Sequence, residues 1–344
     1  MTDAVIRGIA IHLPEDVLTN EDLDAQFPEW EMDKIAAKNG IQQRHIVAED
    51  QTGLDLAEAA CRKMFAEGIT APDGAAQGDI DPADIDALIY CTQAADYLMP
   101  TNACILQHRL GLPTTTMAFD FNLGCSGWVY GLSIAKGFIS TGQAKRVLLV
   151  TTDVYSRWIR EDDRSIRSLF GDAACATLIE AGDSATTGGH IRECVYGTDG
   201  SGAANIVVTG AGMSGAPLDE RSANRGDGPT MFMDGPEVFR FTLAVVPKLM
   251  QQLYEKSGES VDSIDQFILH QANKFMLEHL RRKLKLPKEK FILELADVGN
   301  TVSNTIPIAL GRAYRDGRVQ SGQTLALVGF GVGLSWGGVI VDWR

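Results

Sequence analysis

The chain has 344 residues, of which 45% are apolar and 22% are charged, and its formal net charge at pH 7 is −14. This balance excludes a disordered chain, disfavours nucleic acid as a partner and allows a large buried core. No apolar run approaches the roughly 18 residues of a membrane helix. The first residues lack a basic segment followed by an apolar one, so we expect a cytoplasmic protein with free thiols.

Strands and helices are predicted to alternate along the chain. Short β-branched runs typical of buried strands lie at residues 85–91, 146–151, 174–179 and 264–269, and helical patterns lie at 53–65 and 126–140. Two stretches rich in Gly, Asp and Ser or Ala, 72–84 and 195–228, are predicted as irregular loops. The alternation predicts an α/β protein with buried sheets.

A weak internal repeat points to two halves. Residues 85–90 match 264–269 in pattern, and each half continues with a Gly–polar pair, an apolar helix, a Gly turn and a strand. The pairs are Gly124-Cys125 and Gly299-Asn300. We therefore predict duplicated halves over 1–180 and 181–344, with Cys125 and Asn300 in equivalent positions.

Cys125 is the candidate nucleophile. It lies in Leu-Gly-Cys-Ser-Gly-Trp (123–128), directly before an apolar helix. The positive end of a helix favours thiolate over thiol, and the thiolate is the nucleophile. The alternative is a core cysteine, since free cysteines are often buried. The six cysteines form no C-x-x-C pair, so no metal site is expected.

His270 and Asn300 are candidate hydrogen-bond donors. His270 follows the predicted strand 264–269, and strand ends are where α/β proteins place functional groups. Asn300 follows Gly299, in a position that a turn residue or helix cap would also occupy. Two neutral donors suit the enolate that forms when a malonyl thioester loses carbon dioxide.

Two further segments stand out. Residues 331–338 (Gly-Val-Gly-Leu-Ser-Trp-Gly-Gly) resemble a dinucleotide loop but lack its following helix and acidic residue, so we predict a tight turn whose N–H groups face an oxyanion. Seven basic residues cluster after His270, where they form either a solvated helix face or a site for phosphates or an acidic carrier: Lys274, Arg281, Arg282, Lys283, Lys285, Lys288 and Lys290.

Over nearly its whole length the chain resembles the β-ketoacyl-acyl-carrier-protein synthase III family of the thiolase superfamily. The matching segments are residues 40–45, 119–127, 170–174, 233–239, 270–273, 299–301 and 331–337. The resemblance implies a five-layered αβαβα fold of two similar halves, a homodimer, and no cofactor beyond thioester substrates. It implies that Cys125 takes an acyl group from acyl-CoA or an acyl-carrier protein and passes it to a malonyl-carrier protein, with His270 and Asn300 holding the enolate.

The resemblance also implies roles for other residues. Backbone N–H groups of Cys125 and Val332 form the second oxyanion hole. The substrate-binding positions are Arg164 against the CoA adenine, Trp30 as its partner, Asn273 at the pantetheine arm and Met99 in the partner subunit's acyl pocket. Lys274, Arg282 and Lys283 match positions that contact the carrier protein.

Three departures from the family pattern bear on the substrates. Residues 30–39 exceed the usual spacing, Phe275 stands where an Arg is common, and Val332 replaces a Gly. The first two leave CoA and a carrier protein open as donors, and the pattern also fits secondary or surface-glycan metabolism. Other hypotheses are acyl transfer to oxygen or nitrogen, which Asn300 disfavours, a thiolase, which would carry a second late cysteine, and an inactive acyl-thioester-binding subunit.

Overall fold

The computed structural model describes residues 2–68, 80–214, 216–223 and 228–344. Its strands are β1 (Asp3–His12), β2 (Val17–Thr19), β3 (Gln43–His45), β4 (Ala87–Cys91), β5 (Met117–Phe121), β6 (Arg146–Asp153), β7 (Ala173–Gly182), β8 (Gly189–Thr198), β9 (Ile206–Thr209), β10 (Thr230–Met233), β11 (Gln266–Leu269), β12 (Thr324–Gly331) and β13 (Ser335–Trp343). Its α-helices are α1 (Asn20–Gln26), α2 (Met32–Asn39), α3 (Gly53–Glu67), α4 (Asn102–Leu110), α5 (Gly127–Ser140), α6 (Arg164–Arg167), α7 (Gly235–Ser257), α8 (Lys274–Lys283) and α9 (Thr305–Arg315).

The two halves of the chain build sheets of the same topology. In the first, the order is β5-β4-β6-β7-β1, with β4 parallel to both β5 and β6 and the other pairs antiparallel. In the second, β11 is parallel to β12, and β13 and β8 follow antiparallel. A single parallel bridge from Phe291 to Phe267 occupies the place that β5 has in the first half.

The sheets meet where β1 pairs with β8, through Val5–His190 and Ile6–Gly189. This contact joins nine strands of the described residues into one hydrogen-bonded sheet. Each half-sheet is covered on both faces, as parallel strands require. Ala87 and Ile89 of β4 face the central layer, and Leu88 and Tyr90 face the outer one.

The central layer consists of α5 and α9, which pack between the two half-sheets. Their apolar residues form one cluster with strands of both halves: Trp128, Val129, Leu132, Ala135, Ile139, Ile306, Ala309, Leu310 and Ala313. Helices α3 and α4 cover the outer face of the first half-sheet, and α7 and α8 cover that of the second. The layers are therefore helix, sheet, helix, sheet, helix.

Most predicted elements are present, and one prediction is wrong in part. The strands at 85–91, 146–151, 174–179 and 264–269 correspond to β4, β6, β7 and β11, and the helices at 53–65 and 126–140 to α3 and α5. Residues 195–228 are not a loop throughout, since β8 runs to Thr198 and the β-branched run Ile206–Thr209 pairs with β10. Of the predicted loop 72–84, residues 72–79 lie outside the described residues.

Across the described ranges, no helix combines the length and apolarity that crossing a bilayer requires.

Gly137 offers a test of the packing of α5. It is exposed within the helix, and an added Cβ would meet nothing within 4 Å. Because glycine loses more backbone entropy than alanine on folding, we expect Gly137→Ala to raise the free energy of unfolding by about 0.5–1 kcal/mol. Urea unfolding followed by circular dichroism measures it. A lower free energy would mean that this face of α5 is covered in the folded protein.

Candidate active site

Cys125 lies in the turn that leads from β5 into α5. Ser126 is the N-cap of the helix, and the Ser126 hydroxyl meets that of Ser335 at 2.8 Å, which ties the turn to the second half of the chain. Strand β12 comes close to this turn at a glycine, Gly331. A Cβ on Gly331 would lie only 2.7 Å from the Cys125 Sγ, so this position must lack a side chain.

Burial decides the protonation of Cys125. The side chain is only 8% exposed, and this burial raises the pKa of the thiol to about 12, although the backbone N–H of Val332 acts to lower it. Asp153, buried beside the turn, raises it further. The backbone N–H groups of Cys125 and Val332 do favour the thiolate, as the sequence predicts, but desolvation of the charge outweighs them, so Cys125 is a thiol at neutral pH.

The raised pKa of Cys125 predicts a pH dependence for its reactivity. Below the pKa, the thiolate fraction and the alkylation rate rise by about tenfold for each pH unit, whereas a free cysteine of pKa about 8.5 levels off. We expect the second-order rate of iodoacetamide labelling to climb without a plateau from about pH 7 to about pH 10. Mass spectrometry of the Cys125 peptide separates it from the other thiols. A plateau near neutral pH would contradict the burial argument.

His270 directly follows β11, and its backbone N–H donates to the Val328 carbonyl of β12 at 2.8 Å. Its ring is 2% exposed, lies edge-on to Phe330 with centroids 5.6 Å apart, and has Nδ1 2.7 Å from the Thr305 hydroxyl. Burial lowers the pKa of His270 to about 3. The imidazole is therefore neutral at physiological pH and carries a single N–H.

Asn300 is held by backbone hydrogen bonds to the segment before β7. Its N–H donates to the Leu169 carbonyl at 2.8 Å, and its carbonyl accepts from the Gly171 N–H at 3.1 Å. The approach is close enough that a Cβ on Gly299 would lie 2.6 Å from the Leu169 oxygen. The side-chain Oδ1 of Asn300 accepts from the Val302 N–H at 3.0 Å. With Oδ1 engaged in this way, Nδ2 is the end of the amide left to donate to a ligand in the cavity that Asn300 lines.

One cavity of about 330 Å³ brings Cys125, His270 and Asn300 together. Its other walls are largely apolar, with Leu169, Phe170, Ile206, Met233, Val238, Met276 and Phe330 among the lining residues. A second cavity of about 650 Å³ continues towards the surface and shares Ser165, Leu169, Gly235, Pro236 and Asn273 with it. We call this outer cavity the mouth. The arrangement is a mostly apolar inner pocket that is reached through a more open outer cavity.

The residues predicted around the mouth differ in their exposure. Arg164 begins α6 and is exposed at the mouth. Trp30 lines the mouth but is only 6% exposed, because its ring stacks on Phe27 at 4.3 Å. Trp30 and Arg164 thus line the same cavity, and the role of Trp30 beside Arg164 at the CoA adenine stays a prediction. Asn273 lines both cavities and caps α8, where its Oδ1 accepts from the Met276 N–H at 2.9 Å.

The predicted basic patch divides into exposed and engaged side chains. Lys274, Arg282 and Lys283 are exposed on α8, near the mouth that Phe275 lines. Arg281 instead pairs with Glu278 at 3.0 Å, and the Lys290 ammonium donates to backbone carbonyls of the segment before β11. Lys285 and Lys288 are exposed as well, so five of the seven predicted basic residues are open to a docking partner.

Met99 lies away from the mouth, beside Tyr97 and Leu98 in an exposed apolar segment, and is itself 84% exposed. The segment comes shortly after β4 in the chain. Strand β5, which pairs with β4, is the edge strand of the sheet.

The sequence reasoning missed the residues that orient the donors. Thr305 and Phe330 contact the His270 ring, and Val302 fixes the Asn300 amide. A signal for Thr305 was present, since it is a polar residue directly before five apolar residues, 306–310, in the helix that follows Asn300. No sequence pattern reveals the backbone of Val302, whose φ of 56° is rare for a β-branched residue.

Two family models match the chain. The model of 3-oxoacyl-[acyl-carrier-protein (ACP)] synthase III covers residues 119–200, and that of its C-terminal part covers residues 254–343. A β-ketoacyl-[acyl-carrier-protein] synthase III of Methylococcus capsulatus is 37% identical over 336 residues, which are 98% of this chain and 98% of that protein.

Solved structures agree with the sequence relatives. A crystal structure of a 3-oxoacyl-(acyl-carrier-protein) synthase III has a TM-score of 0.89 at 45% identity and covers 99% of this chain and 100% of that one. A 3-oxoacyl-(acyl-carrier protein) synthase of Burkholderia xenovorans has a TM-score of 0.88 at 34% identity, over 99% and 94%. These matches confirm the predicted thiolase-type fold of two duplicated halves, and the chain belongs to the 3-oxoacyl-[acyl-carrier-protein] synthase III family.

Proposed function

We propose that this protein is a transferase that joins an acyl group to a malonyl thioester by decarboxylative condensation and yields a β-ketoacyl thioester. The observation that carries the proposal is the pairing of two neutral donors, His270 and Asn300, in the cavity that also holds the Cys125 thiol. A cationic histidine would bind the malonyl carboxylate and so oppose its loss as carbon dioxide. The neutral ring instead favours the enolate that remains after the carboxylate has left.

The first half-reaction loads the enzyme. The Cys125 sulfur attacks the carbonyl of an acyl thioester, a C–S bond forms, and the donor's thiol leaves with the proton. Backbone N–H groups of Cys125 and Val332 hold the oxyanion of this step, which suits the position of Val332 as a donor towards the sulfur. Because the ligand-free thiol is protonated, we infer that proton removal accompanies the attack.

The second half-reaction makes the carbon–carbon bond. The C–C bond to the malonyl carboxylate breaks, carbon dioxide leaves, and the electron pair forms an enolate whose oxygen accepts from His270 and Asn300. The enolate carbon then attacks the acyl carbonyl on Cys125, and the C–S bond breaks to regenerate the sulfur. The apolar walls exclude the water that would otherwise hydrolyse the acyl intermediate or protonate the enolate.

The mouth supports a phosphopantetheine thioester as the form of both substrates. It has a volume of about 650 Å³ and adjoins the cavity of Cys125, and Lys34, Lys38 and Arg164 line it. The exposed Lys274, Arg282 and Lys283 beside it suit an acidic carrier protein. Either CoA or a carrier protein then delivers the first acyl group. The unpaired state of all six cysteines fits the reducing cytoplasm expected from the sequence.

A homodimer completes this proposal. Strand β5 ends the sheet, so one side of its backbone has no partner strand among the described residues, yet each of its residues is half-buried. An edge strand of this kind pairs readily with a second copy, and Met99 with its exposed apolar neighbours would be covered there. Sedimentation velocity should give the mass of a dimer, and a monomer at micromolar concentration would contradict this part.

Intact-protein mass spectrometry tests the reaction. Wild type and Cys125→Ala are incubated with a series of acyl-CoAs and acyl-carrier proteins, and then with malonyl-carrier protein. We expect a mass gain that needs Cys125 and that the malonyl partner discharges with release of a β-ketoacyl product. Discharge only to an alcohol or amine would make the protein an acyltransferase to oxygen or nitrogen. No gain with any donor would favour a binding role.

A further inference from the structure

The usefulness of His270 as a donor depends on which ring nitrogen carries its one proton. Nδ1 lies 2.7 Å from the Thr305 hydroxyl, so Nε2 is the nitrogen left for the cavity that His270 lines. In a neutral imidazole one nitrogen is a donor and the other an acceptor. Nε2 therefore donates to an enolate only when Nδ1 accepts a hydrogen bond.

Thr305 controls that choice, because its hydroxyl has a single hydrogen and two acceptors in reach. One is Nδ1 of His270 at 2.7 Å, and the other is the Val302 carbonyl at 3.2 Å. If the hydroxyl donates to Nδ1, Nε2 carries the proton. If it donates to the carbonyl, it must accept from Nδ1, and Nε2 presents a lone pair that repels an enolate. The first arrangement gives up only the longer contact to the Val302 carbonyl, and it is the one that leaves an N–H on Nε2.

The surroundings leave the Thr305 side chain little freedom. It is 2% exposed at the start of α9, and the turn before it is fixed on both sides. The Ser303 hydroxyl donates to Asp153 at 2.5 Å, and Asn304 Oδ1 accepts from the Thr151 hydroxyl at 2.7 Å. The hydroxyl of Thr305 is therefore presented to the His270 ring by a rigid turn.

Val302 relates this turn to the second donor. Its φ of 56° lies in the left-handed region, which a β-branched residue adopts only where the surroundings impose it. In this conformation its N–H orients the Asn300 amide at 3.0 Å, while its carbonyl faces the Thr305 hydroxyl at 3.2 Å. Val302 therefore contacts both the Asn300 amide and the Thr305 hydroxyl, which in turn faces the His270 ring.

We propose that Thr305 is a positioning residue that fixes the Nε2–H tautomer of His270 and so prepares it for the decarboxylation step, with no part in loading Cys125. This inference rests on the proposed condensation. Thr305 touches neither the thioester nor the enolate and acts only through the histidine ring.

Thr305→Val and Thr305→Ser form a matched pair for the test, since valine keeps the shape without the hydroxyl and serine keeps the hydroxyl. Loading is measured as the acyl mass gain on Cys125 from acyl-CoAs of the series acetyl to dodecanoyl. Discharge is measured on the loaded enzyme with malonyl-carrier protein. We expect both variants to load at the wild-type rate, which also shows that they fold.

For discharge, we expect Thr305→Val to be slower by about tenfold to about a hundredfold, below the ~10²–10³-fold cost of losing a donor outright, and Thr305→Ser to be close to wild type. Wild-type discharge by Thr305→Val, or an equal loss of loading and discharge, would overturn the proposal. A wild-type enzyme that loads but never discharges would instead overturn the proposed function.

The tautomer gives a readout that does not depend on activity. In ¹⁵N spectra of the imidazole nitrogens, the His270 signals are assigned by their loss in His270→Gln. We expect the protonated nitrogen to be Nε2 in wild type and in Thr305→Ser, and a shift towards Nδ1–H in Thr305→Val. An Nδ1–H tautomer in the wild-type protein would overturn the proposal whatever the reaction proves to be.

Discussion

Asn300→Ala and His270→Ala should each leave Cys125 able to take an acyl group and slow the condensation by about 10²–10³-fold, the cost of removing one preorganised donor from an oxyanion site. The two half-reactions separate because loading uses backbone N–H groups near the sulfur, whereas the two side chains face the enolate. Stopped-flow mixing of acyl-loaded enzyme with malonyl-carrier protein, with carbon dioxide release as the signal, measures the loss.

Asn300→Asp is the sharper control for this prediction. It keeps the shape of the side chain but replaces the donor with an oxygen, in a site from which water is largely excluded. We expect its condensation rate to fall at least as far as that of Asn300→Ala. A variant of either residue that loses loading and condensation in equal measure would mean that the side chain supports Cys125 rather than the enolate.

Gly331→Ala should prevent Cys125 from being acylated. The added Cβ would lie 2.7 Å from Sγ and 2.8 Å from the Cys125 Cβ, and neither contact can be relieved without moving β12 or the turn before α5. Displacing a reacting group by about 1 Å costs roughly a hundredfold in rate. We therefore expect the rate of Cys125 acylation, followed by the acyl mass gain, to fall by at least about a hundredfold while the protein stays folded.

Gly137→Ala, the same substitution in open space on α5, is the matched control for Gly331→Ala. It should load at the wild-type rate. If Gly331→Ala also loaded normally, β12 and the cysteine turn would be more adaptable than their packing suggests, and the close approach would not define the nucleophile's position.

The sequence was informative wherever a residue type and its place in an element decide the chemistry. The strand runs and the Gly–polar repeat predicted β4, β6, β7 and β11, and they put Cys125 and Asn300 at corresponding turns before α5 and α9. His270 was recognisable because it directly follows a β-branched run. These signals depend on residues close together in the sequence. They predict the structure correctly because tertiary packing favours the same local conformations.

The sequence was uninformative where the outcome depends on what the fold places beside a residue. The helix position of Cys125 suggested a thiolate, but its burial, which comes from β12 and the second half, raises the pKa to about 12. Nothing in the sequence indicated that the Phe27 ring would stack on the Trp30 ring. The contact of Thr305 with His270 spans 35 residues and requires both turns to be in place.

The join between the half-sheets has a consequence for how the protein unfolds. Chains of this length with two similar halves often melt in stages, as separate domains do. Here α5 from the first half and α9 from the second share one apolar cluster, and β1 pairs directly with β8. Separating the halves would expose that whole layer to water, so neither half is a cooperative unit by itself. Calorimetry should therefore record a single heat-absorption peak.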